Sequence, residues 1–414
     1  MCCGWRPQEE GVMAGKHKSS SFGPGFLVTA AFIGPGTVTT CSLAGARFGY
    51  ALIFSLIFAT LTTLFLQRMT GRLALGSGLD LAQSLREFPQ SKLTRCLFIV
   101  LTLSSITFGC AAYEAGNIIG GSLGLEAVTA IPQKYWVGVI SLIAIIILGI
   151  GKYRLLEKFL ILLVFLMSFS FLTTVIIVKP NILSILRGSI PSFPQNSLYL
   201  ILALIGTTVV PYNLFLHSAA VKQKWNSVSD LKEVNKDLLV SICLGGIISV
   251  SVVVTSAVAF YGQGMTLENG AQLAQQLKPL FGSLTNILFG LGFFAAGMSS
   301  ALTAPYAAAF ASSGVLKWKG SHKSKEFKGV WLGVILVGFF VSILNLKPLA
   351  VIVFAQAANG IVLPVASIFL LAVLNNRQRM GHLANNLKQN TLGILIILIV
   401  SSLGFWNILK LFLK

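Results

Sequence analysis

The chain has 414 residues, of which 55% are hydrophobic and only 10% are charged, whereas about a quarter of the residues in a soluble domain are charged. This composition excludes a water-soluble fold and a disordered chain, because so much apolar surface needs lipid around it. The apolar runs are continuous and about twice as long as a barrel strand, so the sequence predicts an all-α polytopic membrane protein.

Eleven stretches are predicted to cross the membrane as helices, since a spanning helix needs about 20 mostly apolar residues. They lie at residues 23–46, 50–71, 94–124, 134–151, 157–178, 196–221, 238–262, 282–313, 328–346, 348–374 and 391–411. Residues 23–414 are therefore predicted to form one transmembrane domain. Residues 1–22 form a polar, basic segment that contains Met13, an alternative start of the protein.

The net charge of +19 would indicate a nucleic-acid partner in a soluble protein. Here the basic residues lie in short loops between apolar runs, so lipid and not nucleic acid is the expected partner. With the N-terminus inside, twenty-three of the 31 Lys and Arg residues fall on the inner side and eight on the outer side. The positive-inside rule therefore predicts a cytoplasmic N-terminus and an external C-terminus, in the plasma membrane or the inner membrane of the cell.

Two of the predicted spans contain a proline at their middle. The first span carries Gly34-Pro35-Gly36-Thr37 and the sixth carries Val210-Pro211-Tyr212-Asn213. Proline removes an N–H and clashes with the preceding turn, so each span is predicted to be either kinked or interrupted. Interruption is the more informative alternative, because helices 1 and 6 correspond in a five-helix inverted repeat. The half-helix ends would then face a polar solute or a cation.

The chain resembles the NRAMP family of proton-coupled divalent metal transporters in several blocks of sequence. These are GPGFLVTAAFIGPGT from residue 23, ARFGYALIF from 46, LQRMTGRLALGSGLDLAQSLRE from 66, VVPYNLFLHSAAV from 209, AAGMSSALTAPYA from 295 and AQAANGIVLP from 355. The resemblance implies a LeuT-type fold with inverted repeats at about 23–178 and 196–374, and an eleventh helix at about 391–411. It also implies secondary active transport by alternating access.

The binding motifs of this family are altered here. Its metal-binding Asp and Asn of helix 1 fall at Gly34 and Thr37, and its selective Met of helix 6 falls at Val210. A carbonyl ligand of the family falls at Thr207 and a glutamine of helix 10 at Gln356. The substrate-binding candidates are Gly34, Thr37, Thr207, Val210, Tyr212, Asn213, Gln356 and Asn359, and the candidate metal ligands are Thr37, Thr207, Gln356 and Glu114. Within this set, Asn213 is expected to cap the second half of helix 6.

The altered motifs change the expected substrate. Gly34 brings no carboxylate and Val210 brings no soft thioether, so a bare transition metal would be held poorly. Neutral oxygens would suit a divalent cation that keeps part of its water, or a small organic solute such as an amino acid. Both substrates stay open at this stage.

A buried acid and a buried histidine are candidates for proton coupling. Glu114 is the one acidic residue that the sequence places well inside an apolar segment, and intramembrane carboxylates are costly and usually functional. The resemblance places the acidic pair of helix 3 at Glu114 and Asn117, and keeps a helix 6 histidine as His217. The alternatives are a permanently protonated Glu114 and a purely structural His217.

Other functional classes have little support. A membrane enzyme would need a cluster of polar catalytic residues within the spans, and a sensor or scaffold would have the same fold without transport. The sequence therefore predicts a transporter that is not an enzyme, needs no cofactor, carries an ion or small solute and acts as a monomer.

Overall fold

The computed structural model describes residues 23–89, 91–151, 154–264, 267–318, 324–344 and 346–412. The polar segment 1–22, with Met13, lies outside these ranges. Within them the helices are α1 (Pro24–Phe32), α2 (Pro35–Phe48), α3 (Ile53–Ser77), α4 (Leu81–Glu87), α5 (Lys92–Thr129), α6 (Gln133–Ile150), α7 (Arg154–Val178), α8 (Ile182–Gly188), α9 (Leu198–Thr208), α10 (Pro211–Lys224), α11 (Leu231–Phe260), α12 (Gly270–Ala274), α13 (Lys278–Phe281), α14 (Thr285–Leu316), α15 (Lys325–Ile343), α16 (Pro348–Leu374), α17 (Arg377–Met380) and α18 (Leu387–Phe412).

The described helices form eleven membrane crossings. Ten helical stretches, α9–α10 among them, are long and apolar enough to span a bilayer, and α1 and α2 together make an eleventh that is bent by 56°. The crossings are α1–α2, α3, α5, α6, α7, α9–α10, α11, α14, α15, α16 and α18. The predicted all-α fold is confirmed, and the described helices match the predicted eleven spans when α1 and α2 are counted as one.

Small residues bring α5 and α14 together in the most extensive helix pair of the bundle. A Cβ atom on Gly124 would lie 2.6 Å from the Gly290 carbonyl oxygen, and one on Gly121 would lie 3.6 Å from the Gly297 Cα. Backbones that approach this closely gain packing contacts that lipid cannot replace. The pair therefore forms a rigid wall beside the interrupted first span.

The interruptions in spans 1 and 6 are each packed against a long helix. Gly120 of α5 lies directly against the Pro35 ring, so a side chain at residue 120 would overlap that ring. Gly206 of α9 lies against the backbone carbonyl of Gln356 in α16. Two continuous helices thus fix the positions of both breaks.

The short helix α4 joins the ends of α10 and α14 on the side predicted to be cytoplasmic. The Lys222 ammonium donates to the Gln83 side chain over 3.0 Å, and the Arg86 guanidinium donates to the Val315 carbonyl over 2.8 Å. Asp80 caps α4 by accepting from the Gln83 N–H at 2.9 Å. Burial raises the pKa of the Asp80 carboxyl, while this hydrogen bond and the Lys222 charge act in the opposite direction.

The start of α1 is capped by a residue from another span. Gly23 at the cap position has no side chain, and the Gly25 N–H donates to the Asp237 carboxylate of α11 over 2.7 Å. A negative charge at a helix N-terminus satisfies a free donor and complements the helix dipole. Asp237 therefore fastens the first half-helix to α11.

Replacing Asp237 by Ala is expected to destabilise the protein by about 1 kcal/mol, because the cap is lost. Asp237→Asn keeps an acceptor oxygen for the Gly25 N–H, so we expect this variant to be destabilised less than Asp237→Ala. Thermal unfolding in detergent compares the two variants with the unaltered protein. Equal unfolding midpoints for all three proteins would contradict the assigned cap.

Candidate functional site

The two interrupted spans leave a short extended segment between their half-helices. The first helix ends at Phe32 and begins again at Pro35, with Gly34 in extended backbone at φ −132° and ψ −173°. The other ends at Thr208 and begins again at Pro211. Each proline occupies the first helical position, where its missing N–H costs nothing and its fixed φ suits the helix. The predicted interruptions are confirmed.

Each proline also leaves one backbone oxygen without its usual helical partner. Pro35 follows Ala31 by four residues and Pro211 follows Thr207 by four residues, and neither proline has an N–H to donate. The carbonyls of Ala31 and Thr207 are therefore available at the carboxyl ends of α1 and α9. These ends carry the partial negative charge of the helix dipole, so both suit a cation.

A pair of threonine hydroxyls connects the two interruptions. The Oγ1 atoms of Thr37 and Thr207 are 2.7 Å apart, and the Thr37 hydroxyl also donates to the Phe32 carbonyl. Because a hydroxyl has one proton, Thr207 is then the donor to Thr37. The structure thus brings together two residues that are 170 positions apart in the chain.

Gln356 and Asn359 of α16 also lie in the interior of the bundle. The Gln356 side chain lies against Gly36, just after the first break, and its Nε2 donates to the Ile352 carbonyl over 3.3 Å. The Oε1 atom of Gln356 and the Nδ2 atom of Asn359 have no hydrogen-bond partner among the described residues. Such buried free groups are rare unless water or a ligand satisfies them.

One expectation about the second interruption is wrong. The cap position of α10 is held by Val210, and no side chain makes a cap hydrogen bond there. Asn213 is the third residue of α10, and both polar atoms of its amide lack partners in the described part of the chain. The side chain is too far into the helix to act as its cap, so its amide is free for another partner.

Two hydroxyl-bearing side chains border the position that a side chain at residue 34 would occupy. A Cβ atom on Gly34 would lie 3.1 Å from the Ser300 Oγ and 3.9 Å from the Tyr113 hydroxyl oxygen. Tyr113 meets Tyr212 edge to face, with 5.9 Å between ring centroids. Tyr212 is a sequence-predicted candidate, whereas Tyr113 on α5 and Ser300 on α14 are not. Ser300 lies within the block AAGMSSALTAPYA from residue 295, but nothing local in that block indicates that its hydroxyl borders Gly34.

The proton-pathway candidates occupy two separate places. Glu114 is fully buried against Gly338 of α15, and its Oε2 accepts from the Asn117 Nδ2 at 3.3 Å. His217 Nδ1 is 2.8 Å from the Thr70 hydroxyl. One atom in each group, Glu114 Oε1 and His217 Nε2, has no partner within the described ranges.

The candidate site is therefore neutral and closed in this conformation. Thr37, Thr207, Val210, Tyr212 and Gln356 are all buried, so water does not reach them freely from either side. The described residues contain no group of three or more His, Cys, Asp or Glu side chains that could hold a metal ion. The available ligands are hydroxyl, amide and carbonyl oxygens.

The fold and the site together define a helical membrane protein built around two interrupted helices, as in membrane transporters. The family model described as Natural resistance-associated macrophage protein-like matches residues 25–410. The chain belongs to this Nramp family.

Known relatives agree with this assignment. The divalent metal cation transporter MntH of Nostoc sp. is 27% identical over 405 residues, covering 94% of this chain and 90% of the relative. A mutant of the Eremococcus coleocola manganese transporter superposes with a TM-score of 0.77 at 20% identity, covering 93% of this chain and 85% of that one. The nucleobase-cation-symport-1 family transporter Mhp1 superposes with a TM-score of 0.60 at 14% identity, covering 88% and 81% of the chains. The LeuT-type fold is thereby confirmed.

Proposed function

We propose that this protein is a secondary transporter that moves a divalent cation by alternating access, with part of the cation's water shell retained. The single observation that carries the proposal is the composition of the gap between the half-helices. It brings together the Thr37 and Thr207 hydroxyls and the Gln356 amide without a carboxylate at Gly34. Membership of a family with divalent metal cation transporters supports the choice of a cation.

Retention of water follows from the ligands. Magnesium ions dehydrate reluctantly and usually keep several waters, and softer metals favour thiolate, thioether or imidazole ligands. Val210 supplies none of these. The freed carbonyls of Ala31 and Thr207, and the hydroxyls nearby, are good acceptors for metal-bound water. We therefore expect Mg²⁺ to be carried at least as well as Mn²⁺.

A small organic solute is the second candidate, and one observation favours it. The Tyr113 and Tyr212 hydroxyls lack partners among the described residues. The Tyr113 hydroxyl lies beside Gly34, where an aspartate side chain would otherwise take up space, and the Tyr212 ring packs on the Tyr113 ring. Two aromatic rings and several amides also suit an amino acid or a related molecule.

Flux through purified protein in proteoliposomes distinguishes the two substrates. We expect Mg²⁺ and Mn²⁺ entry, followed with trapped fluorescent indicators, to exceed that of empty vesicles. Radiolabelled neutral amino acids are expected to enter no faster than they enter empty vesicles. Amino acid uptake without cation entry would support the organic substrate, and absence of any flux would support a sensor or scaffold.

We further propose proton coupling through Glu114, assisted by Asn117 and His217. The support is a buried carboxyl with a free oxygen, bonded to Asn117 and enclosed by α15, since intramembrane acids of this kind commonly carry protons. The surplus of basic residues on one side supports an inside N-terminus and an outside C-terminus in the plasma membrane. We propose that the transporter acts as a monomer.

A further inference from the structure

We propose that Tyr113 and Ser300 are specificity-determining residues whose hydroxyls, together with that of Tyr212, contact the water shell of the transported cation. Both residues border the space that a carboxylate side chain at residue 34 would occupy. This inference rests on the proposed function and names how the same site selects its cargo. It assigns roles to two residues that no binding motif contains.

The Tyr113 and Ser300 hydroxyls both lie next to the position that a side chain at residue 34 would occupy. A Cβ on Gly34 would lie 3.1 Å from the Ser300 Oγ and 3.9 Å from the Tyr113 oxygen, so an aspartate carboxylate at this position would extend into the space that these groups border. The two residues come from α14 and α5, which form the most extensive helix pair of the bundle. Their positions are therefore fixed by rigid elements and not by a mobile loop.

The tyrosine hydroxyls are buried and unpaired. Tyr113 is 1% exposed and Tyr212 is 2% exposed, and neither hydroxyl has a partner among the described residues. Their rings meet edge to face at 5.9 Å, which fixes both side chains. A buried hydroxyl without a partner is unfavourable, and the unpaired Tyr113 hydroxyl beside Gly34 indicates that a bound species satisfies it.

Metal-bound water is the species that these groups fit. A divalent cation polarises its waters and makes them strong hydrogen-bond donors. Serine and tyrosine oxygens accept such bonds without the charge that would draw the metal ion itself out of its water. Selection would then depend on the size and charge of the hydrated ion more than on ligand softness.

Hexaamminecobalt(III) is a suitable probe, because its ammine shell does not exchange and resembles that of a hydrated magnesium ion. We expect it to inhibit Mg²⁺ flux competitively in proteoliposomes. Tyr113→Phe and Ser300→Ala are each expected to raise the KM for Mg²⁺ by about three- to tenfold, the effect of one lost hydrogen bond. The inhibition constant of the probe should rise by a similar factor while kcat stays within about twofold.

Matched controls separate this role from a structural one. Ser312→Ala removes a buried hydroxyl of the same α14 that bonds only the Ala308 carbonyl of its own helix, and Tyr135→Phe removes an exposed one at the start of α6. Both should leave the KM and the inhibition unchanged. An unchanged KM in Tyr113→Phe and Ser300→Ala would overturn this inference while the proposed function stands. Absence of Mg²⁺ and Mn²⁺ flux in the unaltered protein would overturn the proposed function itself.

Discussion

The double variant Gly34→Asp, Val210→Met is expected to prefer Mn²⁺ over Mg²⁺ by at least about tenfold relative to the unaltered protein. The carboxylate adds the charge that compensates for lost water, and the thioether favours softer transition metals over magnesium. Gly34 has φ −132° and ψ −173°, a conformation open to any residue. The Ser300 hydroxyl, 3.1 Å from the new Cβ, needs to move only slightly.

Competition between Mn²⁺ and Mg²⁺ in the same proteoliposomes measures this preference directly. Gly34→Asn with Val210→Met is the matched control, because asparagine has the size of aspartate without its charge. We expect the control to gain much less Mn²⁺ preference than the charged variant. Equal preference in the two variants would mean that space, and not charge, distinguishes this site from those of its relatives.

The interruptions could be predicted because their cause is local. Pro35 and Pro211 each remove a donor from the helix that contains them, and their location in the first and sixth spans indicated a repeat. Both helices do end just before these prolines. Thr37 and Thr207 are both sequence-predicted candidates, and the structure shows their hydroxyls in direct contact.

The rest of the site depends on tertiary contacts that no local pattern encodes. Tyr113 and Ser300 belong to α5 and α14, which meet Gly34 only through the close packing of those helices. The capping of α1 by Asp237 joins residues that are 212 positions apart. Asn213 was assigned to a cap because asparagine favours that position, but the break lies three residues earlier.

The boundaries of the spans show the same difference between what local sequence determines and what tertiary contacts determine. The third crossing was predicted at residues 94–124, whereas α5 runs from Lys92 to Thr129, because its later residues pack on neighbouring helices instead of lipid. The short helices α4 and α8 were not predicted. Their N-terminal caps, Asp80 and Asn181, are readable in sequence, but each helix is too short to give a periodic pattern.

Replacing Glu114 by Gln is expected to abolish the pH dependence of cation flux between about pH 5 and about pH 8, since an amide side chain neither gains nor loses a proton in this range. The Gln side chain keeps an oxygen that can accept from the Asn117 amide, as Glu114 does at 3.3 Å. The fold should therefore be preserved, and a loss of pH dependence would result from the missing proton exchange at residue 114 alone.

Initial rates at fixed cation concentration, with and without a pH gradient across the vesicle, measure the coupling. Glu126→Gln is the control on the same α5, near the end of that helix and only half-buried, and it should retain the pH dependence of the unaltered protein. A pH profile that survives in Glu114→Gln would show that the carboxyl stays protonated and structural. His217, whose Nδ1 is 2.8 Å from the Thr70 hydroxyl, would then be the next group to test, because histidine is the other buried side chain suited to a proton relay.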